Sequence, residues 1–431
     1  MLAAGVNADI RGPRWGTRTA LLLAISQHHT AIVRNLLDHG ANPNFMDNVK
    51  HGPLETAILN DCGKDMIQML LDFGADINLK GYSGRTPLFT AVIAGKSTSV
   101  AFLLARGADV HVRESKDRRT PLHFAAESAG SFDVVSMLVD VGSDANCLTE
   151  SGMSPLHKAA YARLADNVQA LLDCGADVNL RTPAGQNDGQ TAIHYCAKGW
   201  SSTKDVIQLL ADHGADVNSR DSQQRTPLLL TIEQGNAQCE HTAEVLLDHG
   251  ADICAKNERG RTVMHGAARQ LSGKLLELLC QRGADVNWSD DNGDTPLFTA
   301  IESPKSWKQS PRTIDVLLQL GADLNHKNSR DQNALYPAIC RSHLAAAQIL
   351  LERGANVHNQ DSQGMTPMHW CNRAFVGHDT TNVIGRMIGL LIKHGGDVNS
   401  RNYAGQTPLG MNLQTGSLQV RECLINAGGI E

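Results

Sequence analysis

The phrase "LLDHGAN" at Leu36–Asn42 returns along the chain as "LLDFGAD", "LLARGAD", "LLDCGAD", "LLDHGAD", "LLQLGAD" and "LLERGAN". Its glycines stand at Gly5, Gly40, Gly74, Gly107, Gly142, Gly175, Gly214, Gly250, Gly283, Gly321, Gly354, Gly395 and Gly428, 33 to 41 residues apart. A period of this length means stacked units, each too small to bury its own apolar face. A second phrase follows most of these glycines. It reads "TPLF" at Thr86, "TPLH" at Thr120, "SPLH" at Ser154, "TAIH" at Thr191, "TPLL" at Thr226, "TPLF" at Thr295, "TPMH" at Thr366 and "TPLG" at Thr407.

One unit can be read residue by residue. Thr120 suits a helix N-cap, and Pro121 suits the first helical position, where its missing N–H removes no bond. Leu122, Ala125 and Ala126 then form the apolar stripe of a short helix. In "DVVSMLVDVG" the residues Val134, Val135, Leu138 and Val139 fall at helical spacing and predict a second helix. Gly142 ends it by taking the left-handed conformation. His39, Arg106, His213, Arg282 and His394 precede such glycines, at the negative end of the helix dipole. The following "GAD" and "GAN" stretch is polar and reads as a tight, hairpin-like finger, with the acids as turn formers.

These motifs closely resemble the ankyrin repeat, and the resemblance covers nearly the whole chain. It implies an all-α solenoid of tandem helix–turn–helix units with projecting β-hairpin fingers, curved with a concave face. It implies about twelve repeats in one domain over 1–431, ending at the glycines from Gly40 onward, with a partial repeat at 1–9. Helix contacts made by Ala and Gly account for an aromatic content of only 4%. Three units depart from the pattern: "TALLLAI"; "GPLETA" at Gly52–Ala57, with Glu55 in the His position; and "NALYPAI", where Pro337 is expected to distort the helix. The chain begins inside a repeat and stops just after a second helix. Its ends are therefore atypical caps, or it is a piece of a longer protein.

Chemistry finds little support. His123, His157, His194, His265 and His369 share one repeat position, held elsewhere by Phe89, Leu229, Phe298 or Tyr336. A residue exchangeable for Leu or Phe is a local brace rather than a catalyst or ligand. No phosphate loop, nucleophile elbow or H-E-x-x-H occurs. Cys196 and Cys371 replace alanine, as small packing residues. The ten cysteines are scattered without zinc spacing, which points to free thiols in a reducing, intracellular setting, cytoplasmic or nuclear. The first residues lack a secretory signal, and no apolar run is long enough to span a membrane. A net charge of −6 excludes a globally basic nucleic-acid binder. No cofactor or metal is expected, and an enzyme would have to use the irregular stretch from His369 to His378.

The expectation is therefore a non-catalytic, monomeric scaffold that holds a protein partner. The alternative is the recognition arm of a regulator, such as a transcription co-regulator or a larger sensor. The resemblance places binding on the fingers and the exposed face of the first helix. The candidate residues are Tyr82, Arg85, Arg118, Arg119, Phe124, Tyr195, Arg225, Arg261, Trp288, Trp370 and Tyr403. Trp15 and Phe45 also fall in fingers, while Phe132, Trp200, Trp307 and Phe375 fall near the turns between helices. The fingers at Lys80–Arg85, Arg113–Arg119 and Lys256–Arg261 are net basic and that at Asp290–Asp294 is acidic, which suits an acidic peptide or a patterned protein surface. Lengthened turns at Glu233–His241, Glu302–Pro311 and Asn372–Ile384, and a lengthened finger at Thr182–Gln190, are further candidates for contact.

Overall fold

A computed structural model describes Asp9 and residues 18–183, 185, 189–198, 204–235, 239–303, 310–373, 381–415 and 418–430. The partial repeat before Asp9, Trp15, Trp200, Trp307, Phe375, His378 and much of the lengthened turns lie outside the described residues. The described helices form twelve pairs, from Ala20–Ser26 with Thr30–Asp38 to Pro408–Thr415 with Leu418–Asn426. They divide into two compact units, Met1–Ser222 and Gln223–Glu431, with six pairs in each. Within each unit first helices pack on first helices and second helices on second helices. The core is a thin apolar layer between the rows, filled by residues such as Leu122, Ala125, Val135 and Leu138 in the first unit and Leu275, Leu276 and Leu297 in the second. No β-strand is present among the described residues, so the architecture is an α-solenoid.

The first helix starts as the sequence requires. Thr120 is extended, Pro121 follows it, and His123 completes a capping box. The Thr120 N–H donates to His123 Nδ1 at 3.1 Å, and the hydroxyl lies 2.9 Å from the same nitrogen. Nδ1 is therefore an acceptor and Nε2 carries the proton. Nε2 donates to the Met153 carbonyl of the next repeat at 3.1 Å. The same bridge joins His157 to Gln190, His265 to Asp294 and His369 to Gln406. In the second repeat Glu55 takes the position, accepting the Gly52 N–H at 3.3 Å and the Thr90 hydroxyl. Pro337 does not break its helix. Leu335–Cys340 starts just before it, so Pro337 lies in the first turn, where N–H groups have no intrahelical acceptor.

The second helix ends at a glycine with φ of 101° at Gly142, a conformation that a side chain would strain. His39 and His213 each donate from Nδ1 to the carbonyl four residues back, at 2.8 Å, and so cap the orphaned last turn. The next aspartate folds the chain: Asp109 Oδ1 accepts the His111 N–H at 2.8 Å. An asparagine two residues on ties neighbouring repeats together. Asn44 Oδ1 accepts the Asp76 N–H at 2.7 Å while its Nδ2 donates to the Gly74 carbonyl at 2.9 Å. Asn179 repeats both bonds with Asp216 and Gly214, and Asn287 with Asp323 and Gly321.

Fingers are closed by backbone bonds, as from the Asn257 N–H to the Arg261 carbonyl and from the Gly260 N–H to the Asn257 carbonyl, both at 3.0 Å. In several fingers a carboxylate or amide at the first residue braces the turn: Asp290 Oδ1 accepts the N–H groups of Asn292 and Asp294. Neighbouring fingertips within a unit are stitched by further bonds, such as Ser115 N–H to the Ser83 carbonyl at 2.8 Å.

The buried imidazoles make stability depend on pH. Burial pushes His123 and His157 down to about 4. The unfolded chain protonates near 6.5 while the folded one does not, so stability is full above about 6.5 and is lost as pH falls toward 4. Each site removes on the order of 1–2 kcal/mol by pH 5. Burial raises Glu55, Asp294 and Glu302, which act in the opposite sense. Thermal melts followed by circular dichroism at pH 7.5 and pH 5 should show a lower midpoint at pH 5, and a smaller drop in His123→Leu. A midpoint independent of pH would contradict the brace.

Candidate protein-binding site

Two positions of the first helix look outward. One follows the His position, and the other lies a turn later. In the first unit the outer position carries Leu59, Ile93, Glu127, Tyr161 and Lys198 in successive repeats; in the second unit it carries Glu233, Arg269, Glu302, Cys340 and Arg373. The first set is largely apolar and exposed: Leu59 is 45%, Ile93 44% and Tyr161 56% accessible. The second set is mixed in charge, with two glutamates, two arginines and Cys340.

The inner position of the first unit carries Phe124, Lys158 and Tyr195. Phe124 and Tyr195 are nearly buried and form a floor. Phe124 meets Phe89 edge-on at 5.7 Å, and Tyr195 meets His157 at 5.3 Å and Tyr161 at 6.4 Å. Ile93, Phe124, Lys158, Tyr161 and Tyr195 line an open groove of about 880 Å³. Ile93 also borders a hollow of about 270 Å³, lined by Leu59, Tyr82 and Thr90.

The arginines expected at the fingertips mostly hold the stack. Arg85 Nη2 meets Glu114 of the next repeat at 2.8 Å, and Arg119 Nε meets the same carboxylate at 2.6 Å. Arg119 also pairs with Glu127 at 2.8 Å. Both guanidinium groups lie over the Phe124 ring, at 4.9 and 4.0 Å. Burial pushes the Glu114 carboxyl up, but hydrogen bonds from Arg119 and Arg85 outweigh it and hold the group below the usual carboxylate range. In the second unit Arg261 pairs with Asp290 at 3.1 Å, and Arg225 lies 3.8 Å from Glu233. Each arginine just before the cap thus serves an acid, and only Arg118, with φ of 52°, is an exposed fingertip cation of this group.

The candidate aromatics divide. Tyr82 and Tyr403 are 65% and 73% accessible on their fingers. Trp288 is half-buried beside the Lys256 ammonium, 5.9 Å from the ring centre. Trp370 is a correction. It is 0% accessible and cannot meet a partner. Its indole Nε1 donates to Asp361 Oδ2 at 3.1 Å, and its ring packs edge-on against Tyr336 at 5.3 Å. The cause lies one repeat earlier. Gln332 stands where Arg261 stands for Asp290, so no guanidinium takes Asp361, and the tryptophan turns inward to donate instead.

Leu59, Ile93 and Tyr161 escape a reading confined to aromatics near the cap. Comparing the outer position across repeats finds them, because that column is apolar in some repeats and charged in others. The second unit has its own hollow of about 510 Å³, lined by Arg225, Glu233, Arg259, Arg261 and Arg269. Gly266 stands there at the inner position, where a Cβ would come within 2.7 Å of Ile232 Cγ2.

The paired helices, capped by Thr and His and joined by fingers, define a tandem-repeat binding module rather than a scaffold for an enclosed active site. The model for ankyrin repeats matches residues 1–81, 88–182, 181–257, 240–328 and 305–384, and the chain belongs to the ankyrin-repeat family. Ankyrin repeats mediate protein–protein interaction. The mouse B-cell lymphoma 3 protein homolog is 35% identical over 150 residues, 33% of this chain and 32% of that protein. The human transient receptor potential cation channel subfamily A member 1 is 25% identical over 389 residues, 86% of this chain and 30% of that protein. The chicken nuclear factor NF-kappa-B p105 subunit is 31% identical over 147 residues, 33% of this chain and 15% of that protein. The matches thus span a third or less of these relatives' own length. Among the described residues no helix is long and apolar enough to cross a membrane.

The two kinds of aromatic should separate on substitution. Trp370→Ala should cost about 3–5 kcal/mol in urea denaturation, as for other large buried rings, and leave Asp361 without its indole donor. Tyr403→Ala should stay within about 0.5 kcal/mol, as surface changes do. Equal losses would mean that Trp370 is not the buried anchor described.

Proposed function

We propose that this protein is a non-catalytic interaction scaffold that binds a protein partner on the first-helix and finger face of its first unit, Met1–Ser222. The observation that carries the reading is the exposed apolar row of Leu59, Ile93 and Tyr161 beside Tyr82. Exposed Tyr and aliphatic side chains gathered around a groove anchor partners, whereas isolated ones need no explanation. The floor beneath them is preformed, since Phe124 is held by two stacked guanidinium groups and Tyr195 by its ring neighbours. A rigid groove loses little conformational freedom on binding.

The second unit, Gln223–Glu431, presents mixed charge at the equivalent positions and suits selection between partners more than affinity. Ten free cysteines support a place in a reducing compartment, cytoplasmic or nuclear. A role as the recognition arm of a regulator has support in one similar protein, a nuclear factor subunit.

The test is comparative capture from cell extract. The tagged full chain, a Leu59→Glu/Ile93→Glu/Tyr161→Glu variant and an Arg269→Ala control would be compared by quantitative mass spectrometry. Proteins retained by the intact chain and by the control should fall about tenfold or more on the triple variant, with its circular dichroism unchanged. Equal retention by all three would remove the first unit's groove from the account.

A further inference from the structure

The charges around the first unit's groove are unevenly satisfied. Glu114 is buried between Arg85 and Arg119, and Glu127 is paired with Arg119. Asp117 accepts the Ser151 N–H at 2.8 Å and its hydroxyl at 3.1 Å. Glu55 is buried, and burial pushes its carboxyl up toward the neutral form. Of these acids Glu127 lines the groove, and Arg119 engages it. Glu150 is exposed on the next fingertip but does not line the groove. The cations differ. Lys158 lines the groove between Phe124 and Tyr195, and among the described residues no carboxylate pairs with it. Lys116 and Arg118, exposed on the adjoining fingertip, also have no ion pair among the described residues.

An ammonium on a mostly aromatic and aliphatic surface is less well hydrated than one in open water. A carboxylate brought there gains more than it would at an ordinary surface site. The apolar walls meanwhile require an apolar side chain to displace water from Ile93 and Tyr161. One occupant satisfies both demands.

We propose that this groove seats an extended peptide segment of the partner in which a large apolar side chain enters between Ile93, Phe124, Tyr161 and Tyr195 while a neighbouring Asp or Glu meets Lys158. The fingertip cations Lys116 and Arg118 then favour further acid on the same side. This rests on the reading that the first unit's face binds protein, and it states the chemistry that the face selects.

A random dodecapeptide display library, selected on the full-length chain, tests it. Enriched peptides should carry Asp or Glu beside Leu, Ile, Phe or Trp. Synthetic copies, measured by fluorescence polarisation, should bind Lys158→Glu and Tyr161→Ala each about tenfold more weakly than the intact chain. Replacing the peptide's acid with Lys should weaken binding to the intact chain and restore it to Lys158→Glu. The inner position already varies among Thr, Phe, Lys, Tyr and Gly, so the lysine variant is expected to fold, and circular dichroism checks this. Peptides sensitive to Tyr161→Ala but lacking acid, or indifferent to Lys158→Glu, would overturn the proposed chemistry and leave the face standing. Peptides indifferent to both variants, or no enrichment, would overturn the proposal; the first of these would count against the face as well.

Discussion

The structure depends on hydrogen bonds that each repeat makes to the next. An imidazole accepts from its own cap and donates to the neighbour's finger, as His123 does to Met153. An asparagine accepts the neighbour's N–H and donates to its carbonyl, as Asn287 does with Asp323 and Gly321. An acid at the finger's start folds the turn with one oxygen and takes a donor from elsewhere with the other. Asp290 takes Arg261 in this way, and Asp361 takes the Trp370 indole. Helices of four to thirteen residues would be marginal alone. Stacking buries their apolar faces, and these bonds fix the register at which they stack.

That division of labour decides where recognition can sit. Residues shared by the repeats are occupied with holding them together. His123, His157, His265 and His369 are buried and bonded on both ring nitrogens, so none is available as a base or ligand. The outward positions of the first helix carry no bond common to all repeats, and their side chains vary from one repeat to the next. In the first unit the outer position sets Leu59, Ile93 and Tyr161 beside a groove; in the second it is mixed in charge.

Much of the fold is legible in the sequence because its cues are local and repeated. The cap, the proline, the terminal glycine and the turn acid each act within a few residues. Averaging over many copies exposes them, and the departures at Glu55 and Pro337 still fall within the same helix start. The site is less legible because exposure is settled between repeats. Phe124 and Trp370 occupy the same inner position. The first lies under two guanidinium groups, and the second is drawn inward by an acid nine residues before it. An arginine at a fingertip looks available until its carboxylate is found in the following repeat, as with Arg85 and Glu114. Tyr161 and Ile93 become meaningful only when the same column is compared along the stack.

The central claim is that stability and recognition rest on different residues. A substitution scan of the full chain with two readouts, protease resistance and retention of its captured partner, addresses it most directly. The account predicts that resistance fails at the Thr and His caps, the bridging asparagines and the finger acids. It predicts that retention alone fails at Leu59, Ile93, Lys158 and Tyr161. Retention lost chiefly at Arg269, Glu302 and Arg373, with the first unit's row indifferent, would contradict it.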